Sequence, residues 1–321
     1  MSANGDRAAA TAPPRDSYYG RPVIKEPVWK PEIPFYFYAG GLAGASAGLA
    51  FLSGLRGNDE LARRAWAAAA AGVTISPALL VSDLGYPTRF LNMLRLFKVT
   101  SPMSVGSWNL TASGLCTTLA AAHAWTGRFA AAARIARPAA AVLGLPLSTY
   151  TAALIANTAV PAWHEARWTL PFLFAGGAAA SAGAAAVAVT PPKHAAPARR
   201  LALGGAAAEL AASLVMERAL GDLGEPYHEG AAGLLSRVAR GLTVTGAGVL
   251  AGAGTRRAGA IAGGALLTAG AVCKRWSVFR AGFQSAADPR FTVGPQRARI
   301  ARGETRGGAR AISRQALGSG T

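Results

Sequence analysis

The chain has 321 residues, of which 51% are hydrophobic and only 15% charged, well below the roughly 25% usual in a soluble domain. That balance excludes an ordinary soluble globular protein. The net charge of +18 does not make it a nucleic-acid binder, because ten of its 33 basic residues follow Cys273 and the rest flank apolar runs, where bases attract anionic lipid and set orientation.

Residues 1–31 form a polar, Pro-punctuated arm in which disorder is expected for about the first 15 residues and order for YYGRPVIKEPVWKPEIP. It lacks the pattern of a cleaved signal peptide, so the first helix is expected to act as the insertion signal. Five runs follow without Asp, Glu, Lys or Arg, at 33–55, 65–82, 99–127, 138–164 and 168–192. Each can cross a hydrocarbon core, which takes about 20 apolar residues in a helix. Three weaker runs, 201–216, 241–255 and 258–273, are short and rich in Gly and Ala, and bounding arginines lengthen their reach by snorkelling. The expected fold is all-α and integral to the membrane, with eight transmembrane helices.

The first helix opens PFYFYAGGLAGASAG and the fifth PFLFAGGAAASAG. Aromatic residues leading into small ones suit an interfacial belt followed by close helix packing. The match implies a pseudo-repeat of helices 1–4 and 5–8, two four-helix bundles related by an axis along the membrane normal. The expected divisions are the arm at 1–31, a first bundle at 32–164 carrying a long loop at 83–103, a second bundle at 165–275, and a basic tail at 276–321.

Eight helices put both termini on one side, together with the connections at 83–103, 164–167 and 217–240. That side holds 22 of the 33 Lys and Arg residues, so the positive-inside rule places the termini in the cytoplasm. It also collects the chemically varied side chains. Asp83, Arg89, Asn92, Arg95 and Lys98 lie in the first connection, Asn157, Trp163, His164 and Glu165 near the second, and Glu217, Asp222, Glu225, Tyr227, His228 and Glu229 in the third. His123 and His164 fall about a bilayer thickness apart, roughly 30 Å, which argues against a bis-histidine haem. Two cysteines, Cys116 and Cys273, fall short of the four thiolates of an iron–sulfur cluster. No metal ligands and no bound or covalent cofactor are therefore expected in this chain.

Several residues have a structural reading beside the functional one. Asp83 suits either a site or a pairing with Arg89 or Arg95. Asn157 suits helix–helix glue, and Trp108 and Trp163 suit interfacial anchoring. Glu209 is a carboxylate in mid-run, and such acids are often proton carriers; the alternative is a neighbouring Arg facing it.

DLGYPTRFLNMLRLFKVTSPMSVGSW, NTAVPAWHEARWTLPFLFAG and KRWSVFRAGFQSAADPRFTVGPQR, with the arm SYYGRPVIKEPVWKPEIPFYFYAGG, resemble the NrfD/polysulfide reductase (PsrC-like) membrane subunits in their actinobacterial form. The resemblance runs over about residues 17–298. It implies an eight-helix anchor without haem that exchanges electrons between a quinone pool and a ferredoxin-like iron–sulfur subunit, itself wired to a molybdopterin catalytic subunit such as a formate-dehydrogenase-like enzyme. On that likeness menaquinone is the substrate. Its head group is expected near Asp83, Arg89, Asn92, Ser107 and Trp108, with Tyr36 or Tyr38 as donors. Arg95, Lys98, His164 and Glu165 are expected to face the partner, and Glu209 and Glu217 to line a proton path. The competing readings are a secondary transporter or other proton-translocating membrane protein, and a passive anchor without a quinone site.

Overall fold

The computed structural model describes residues 22–84 and 86–303; the expectations for the start of the arm and the end of the tail fall outside them. All regular structure among the described residues is helical. The first half comprises α1 (Glu32–Leu55), α2 (Asp59–Asp83), the 3-10 turn η1 (Pro87–Leu94), α3 (Pro102–Thr126) and α4 (Ala130–Ala156). A short α5 (Pro161–Glu165) and η2 (Ala166–Trp168) lead to α6 (Leu170–Val189), α7 (Ala196–Leu220), η3 (Gly221–Tyr227), α8 (Gly230–Ala253), α9 (Arg257–Ala287) and α10 (Arg290–Ala301). Helices α1, α2, α4 and α6 are long and apolar enough to cross a membrane. Helices α3, α7, α8 and α9 reach the length, at 24 to 31 residues, without the same apolarity.

Local chemistry sets the helix ends. Asn58 caps α2 by accepting from the Leu61 amide, and Ser101 caps α3 through the Ser104 amide. Gly127 closes α3 in the left-handed conformation, φ 70°, which costs glycine nothing.

Within the first half α1 packs on α2 and α4, and α3 on the same two helices. Within the second α6 packs on α7 and α9, and α8 chiefly on α9. The halves meet mainly along α1 and α6, the two helices that open with the shared motif, where Phe37 and Phe174 have ring centroids 5.8 Å apart. Small residues allow the close crossings. A Cβ on Gly44 would overlap the backbone of Gly144 on α4, the kind of approach expected where small residues drive packing in lipid.

Helix direction alternates, and contacts between connections fix two ends. At one, Trp29 of the arm stacks on Trp163 at 5.4 Å. The Lys30 amide donates to Asp83 Oδ1 at 2.9 Å, and the Tyr227 hydroxyl to the Ala162 carbonyl at 3.2 Å. This is the arm end, and Asp83 and His164 are both on it. At the far end Asn58 Nδ2 donates to the His194 carbonyl at 2.9 Å, and Arg64 and Arg257 donate to the carbonyls of Val189 and Thr190. The two ends are packed differently. The arm-end core holds the large rings of Tyr36, Phe37, Trp163, Phe174, Tyr227 and Phe279, whereas the far-end core is mostly alanine around Leu61, Trp66 and Leu250.

Two local expectations are corrected here. The eighth helix does not stop near Cys273: α9 continues to Ala287, burying Ser277, Val278, Phe279, Ala281 and Gly282, and α10 follows, so residues 276–301 are not simply a tail. Trp163 is not an interfacial anchor. It is 0% exposed, donates Nε1 to the Val278 carbonyl at 2.7 Å, and presses on Gly282, where any Cβ would overlap its ring.

Candidate functional site

The side chains expected around a quinone head group are gathered at the arm end but not into one enclosed pocket. Arg89, Asn92, Arg95 and Lys98 are all exposed, on η1 and the residues after it. The Arg89 guanidinium lies over the Tyr86 ring, 4.8 Å from its centroid. Trp108 is part-exposed and meets Phe97 edge-on at 6.2 Å. Ser107 is buried and donates to the Met103 carbonyl of its own helix at 2.8 Å. Tyr36 is buried between helices with its ring edge-on to Tyr150, and the half-buried Tyr38 hydrogen-bonds to Thr268.

Asp83 does not pair with Arg89 or Arg95. Its carboxylate takes the Lys30 amide, and Lys30 Nζ donates to the Ser82 carbonyl at 3.3 Å. The end of α2 thus pins the arm across the arm-end surface. Asn157 ends α4 as its C-cap, which removes the cost of a buried amide in mid-helix. One signal was missed in this half: Asn109, next to Trp108, has a buried Nδ2 without a hydrogen-bond partner.

His164 and Glu165 sit on α5. The His164 ring nitrogen Nδ1 is 3.1 Å from the Ala156 carbonyl, and Glu165 is 3.6 Å from Arg167. Glu165 also lines a cleft of about 600 Å³ with Asp222, Glu225, Arg290 and Arg299. Arg290 bridges Asp288 at 2.8 Å and Glu225 at 3.4 Å, tying α10 to η3. Burial pushes the Tyr227 phenol above its ordinary pKa, so it remains a donor to Ala162.

The densest chemistry lies in the second half. Glu209, Ser213 and Glu217 recur every four residues on α7 and so share a face over about 12 Å. Lys274 Nζ donates to Ser213 Oγ at 2.6 Å and to Ser236 Oγ at 3.4 Å. Ser213 Oγ donates to Glu217 Oε1 at 3.2 Å, and Arg240 meets the same oxygen at 2.7 Å. Arg275, 2% exposed, donates to the Phe174 carbonyl at 2.9 Å and lies over the Phe174 ring. Its charge and that of Lys274 both act on Glu209, which is 4% exposed.

The backbone makes room for this column. A Cβ on Gly177 of α6 would come within 3.1 Å of both Glu209 Oε1 and Arg275 Nη2, so glycine lets the pair approach the helix. Glu209 Oε2 and Arg275 Nη1 are buried and lack hydrogen-bond partners. Buried polar atoms of this kind are ordinarily satisfied by water or ligand. A cavity of about 10 Å³, lined by Glu209, Ser213, Arg240 and Lys274 among others, lies beside Glu209, close to the least space that holds one water molecule. Hydrogen bonds thus join Lys274, Ser213, Glu217 and Arg240, and Glu209 stands one turn before Ser213 on the same face of α7. Lys274 and Arg275 escape a reading by hydropathy because a pair of charges ends any apolar window; the signal available was the apolar WSVF that resumes directly after them.

A family model described as polysulfide reductase, of the NrfD type, matches residues 16–291. No curated protein matches the chain. The match takes in the arm, both halves and the start of α10, including η1, α5 and the column of α7 and α9. Membrane subunits of this family pair with redox subunits. The chain belongs to the NrfD-type polysulfide reductase family and is a multi-pass membrane protein, of the kind that family contributes to redox complexes.

Proposed function

We propose that the chain spans the membrane eight times, in two four-helix bundles, and is the quinone-facing subunit of an oxidoreductase. Menaquinone is the substrate. Its head group lies at the arm end of the first half, where Arg89 and Asn92 offer donors beside Asp83, Ser107 and Trp108, and Tyr36 and Tyr38 stand deeper on α1. Arg95, Lys98, His164 and Glu165 face a ferredoxin-like iron–sulfur subunit, which leads to a molybdopterin catalytic subunit. Electrons are supplied or removed by that partner. This chain binds and orients the quinone, balances developing negative charge with Arg89 or Arg95, and moves protons. Glu209 and Glu217 line the proton path, with Ser213 and Lys274 between them.

The observation that carries this reading is the gathering of the arm, η1, α5 and α10 on one end of the helices, in a family whose membrane subunits work with redox partners. The exposed bases of η1 and the residues after it can meet an acidic surface at little desolvation cost, and charge complementarity of this kind steers association. The test is quinol-linked turnover of the assembled complex carrying Asp83→Asn. Asparagine keeps an oxygen for the Lys30 amide, so the arm stays pinned while the acid is lost. Turnover falling about ten-fold, roughly 1.4 kcal/mol of barrier, with the partner still bound supports the site; unchanged turnover and assembly rejects it. The buried Glu209 and Arg275 would also suit a secondary transporter, a reading that solute flux through the isolated chain in liposomes would favour.

A further inference from the structure

Two clefts on the outside of the helices carry chemistry that a quinone subunit does not require. The larger, about 1090 Å³, opens at the far end among α1, α4, α6 and α7. The smaller, about 650 Å³, follows the seam of α6 and α7 toward the arm end. Both are lined by Ala175, Ala179, Arg200 and Leu201, so they form one branched groove. Its walls are mainly Gly, Ala, Leu and Val.

Charge is concentrated at the mouth. Arg56, just past the end of α1, and Arg200, in the first turns of α7, both line the larger cleft. They are brought together by Asn58, whose side chain ties the α1–α2 connection to the α6–α7 connection through the His194 carbonyl. Both arginines are exposed, and among the described residues neither is held by a hydrogen bond or ion pair. At the same end Arg63 and Arg64 are engaged by Glu60 and Arg257 by the Thr190 carbonyl; of the far-end arginines left without such partners, Arg56 and Arg200 are the two that line the groove. No acidic residue lines either branch. Two unpaired guanidiniums above an apolar groove match a phosphate, which arginine binds in bidentate fashion. A neutral head group would leave both charges unanswered.

Dimensions agree with a lipid. From Gly44 to Arg56 the larger branch follows α1 for about 18 Å, a little over half of a hydrocarbon core of about 30 Å. That is the depth of a single leaflet. The second branch provides a separate channel from the same mouth.

We propose that this groove is a binding site for an anionic phospholipid, with its phosphate on Arg56 and Arg200 and an acyl chain in each branch. The site stands independently of the quinone reading, at the other end of the molecule. Its test uses the full chain in mild detergent, delipidated and then titrated with phosphatidylglycerol, phosphatidylcholine, menaquinone or inorganic phosphate, with bound mass read by native mass spectrometry. Phosphatidylglycerol is expected to bind at least ten-fold tighter than phosphatidylcholine, and the R56Q/R200Q double variant to lose that preference. Gly48→Leu fills the larger branch at a position where an added Cβ meets nothing within 4 Å, and is expected to weaken phosphatidylglycerol at least five-fold with the charges intact. Equal retention of the two phospholipids, menaquinone displacing phosphatidylglycerol, inorganic phosphate binding as tightly as the lipid, or full retention by either variant would overturn the proposal.

Discussion

The first half carries its arm-end charges outside, on η1 and the turn that follows; the second half has exposed ion pairs of its own on η3 and α10, and in addition holds three charged side chains inside, on α7 and α9. Arg89, Arg95 and Lys98 remain solvated, while Glu209, Lys274 and Arg275 have been carried into the core. The difference matters energetically. An exposed base costs little to maintain and answers to an approaching surface. A buried charge loses several kcal/mol of hydration and persists only with opposite charge and hydrogen bonds around it. A family member that keeps Glu209 and Arg275 buried with one atom of each unpaired has the means to hold water or a proton there, whereas the first half has the means to meet a partner.

Trp163→Ala should be the most damaging change, because that ring joins the arm, α5 and α9; a loss of about 3–5 kcal/mol is expected, read as a large fall in the melting temperature of the purified protein. Glu209→Gln should cost about 3 kcal/mol by stranding the charge of Arg275, and should slow quinol-linked turnover. Adding Arg275→Met to it should restore most of the stability and none of the turnover. If the double variant turned over normally, the column would be packing and not a path. Lys274→Met should leave assembly intact and lower turnover several-fold, since Ser213 would lose its donor. The smallest effect belongs to the rim: Arg95→Ala with Lys98→Ala should weaken partner binding by about 1 kcal/mol, visible as a slower association rate whose dependence on salt is reduced.

Much of the helical layout was legible because it depends on length and composition. Charge-free runs mark α1, α2, α4 and α6 without any knowledge of their neighbours, and the motif shared by residues 34–48 and 171–183 falls at the start of α1 and of α6. Helix parity was enough to put Asp83 and His164 at one end. Tertiary partners were not legible. Asp83 has two arginines within 12 residues, yet its partner is Lys30, 53 residues away. The Lys274-Arg275 pair ends an apolar window just where the fold needs charge inside, because Glu209 on another helix is waiting for it. Trp163 has the composition of an interfacial residue, and only the glycine at 282 on α9 explains why it is buried.

A redox partner is expected to meet the arm end, and lysine chemistry tests that placement most directly. Lys25, Lys30 and Lys98 lie at the arm end, Lys193 lies in the far-end connection of α6 and α7, and Lys274 is buried. Amine cross-linking of the complex isolated from membranes, read by mass spectrometry, should join the iron–sulfur subunit to Lys25, Lys30 or Lys98 and leave Lys193 unlinked to it. Cross-links from that subunit to Lys193, with none to the arm-end lysines, would contradict the account.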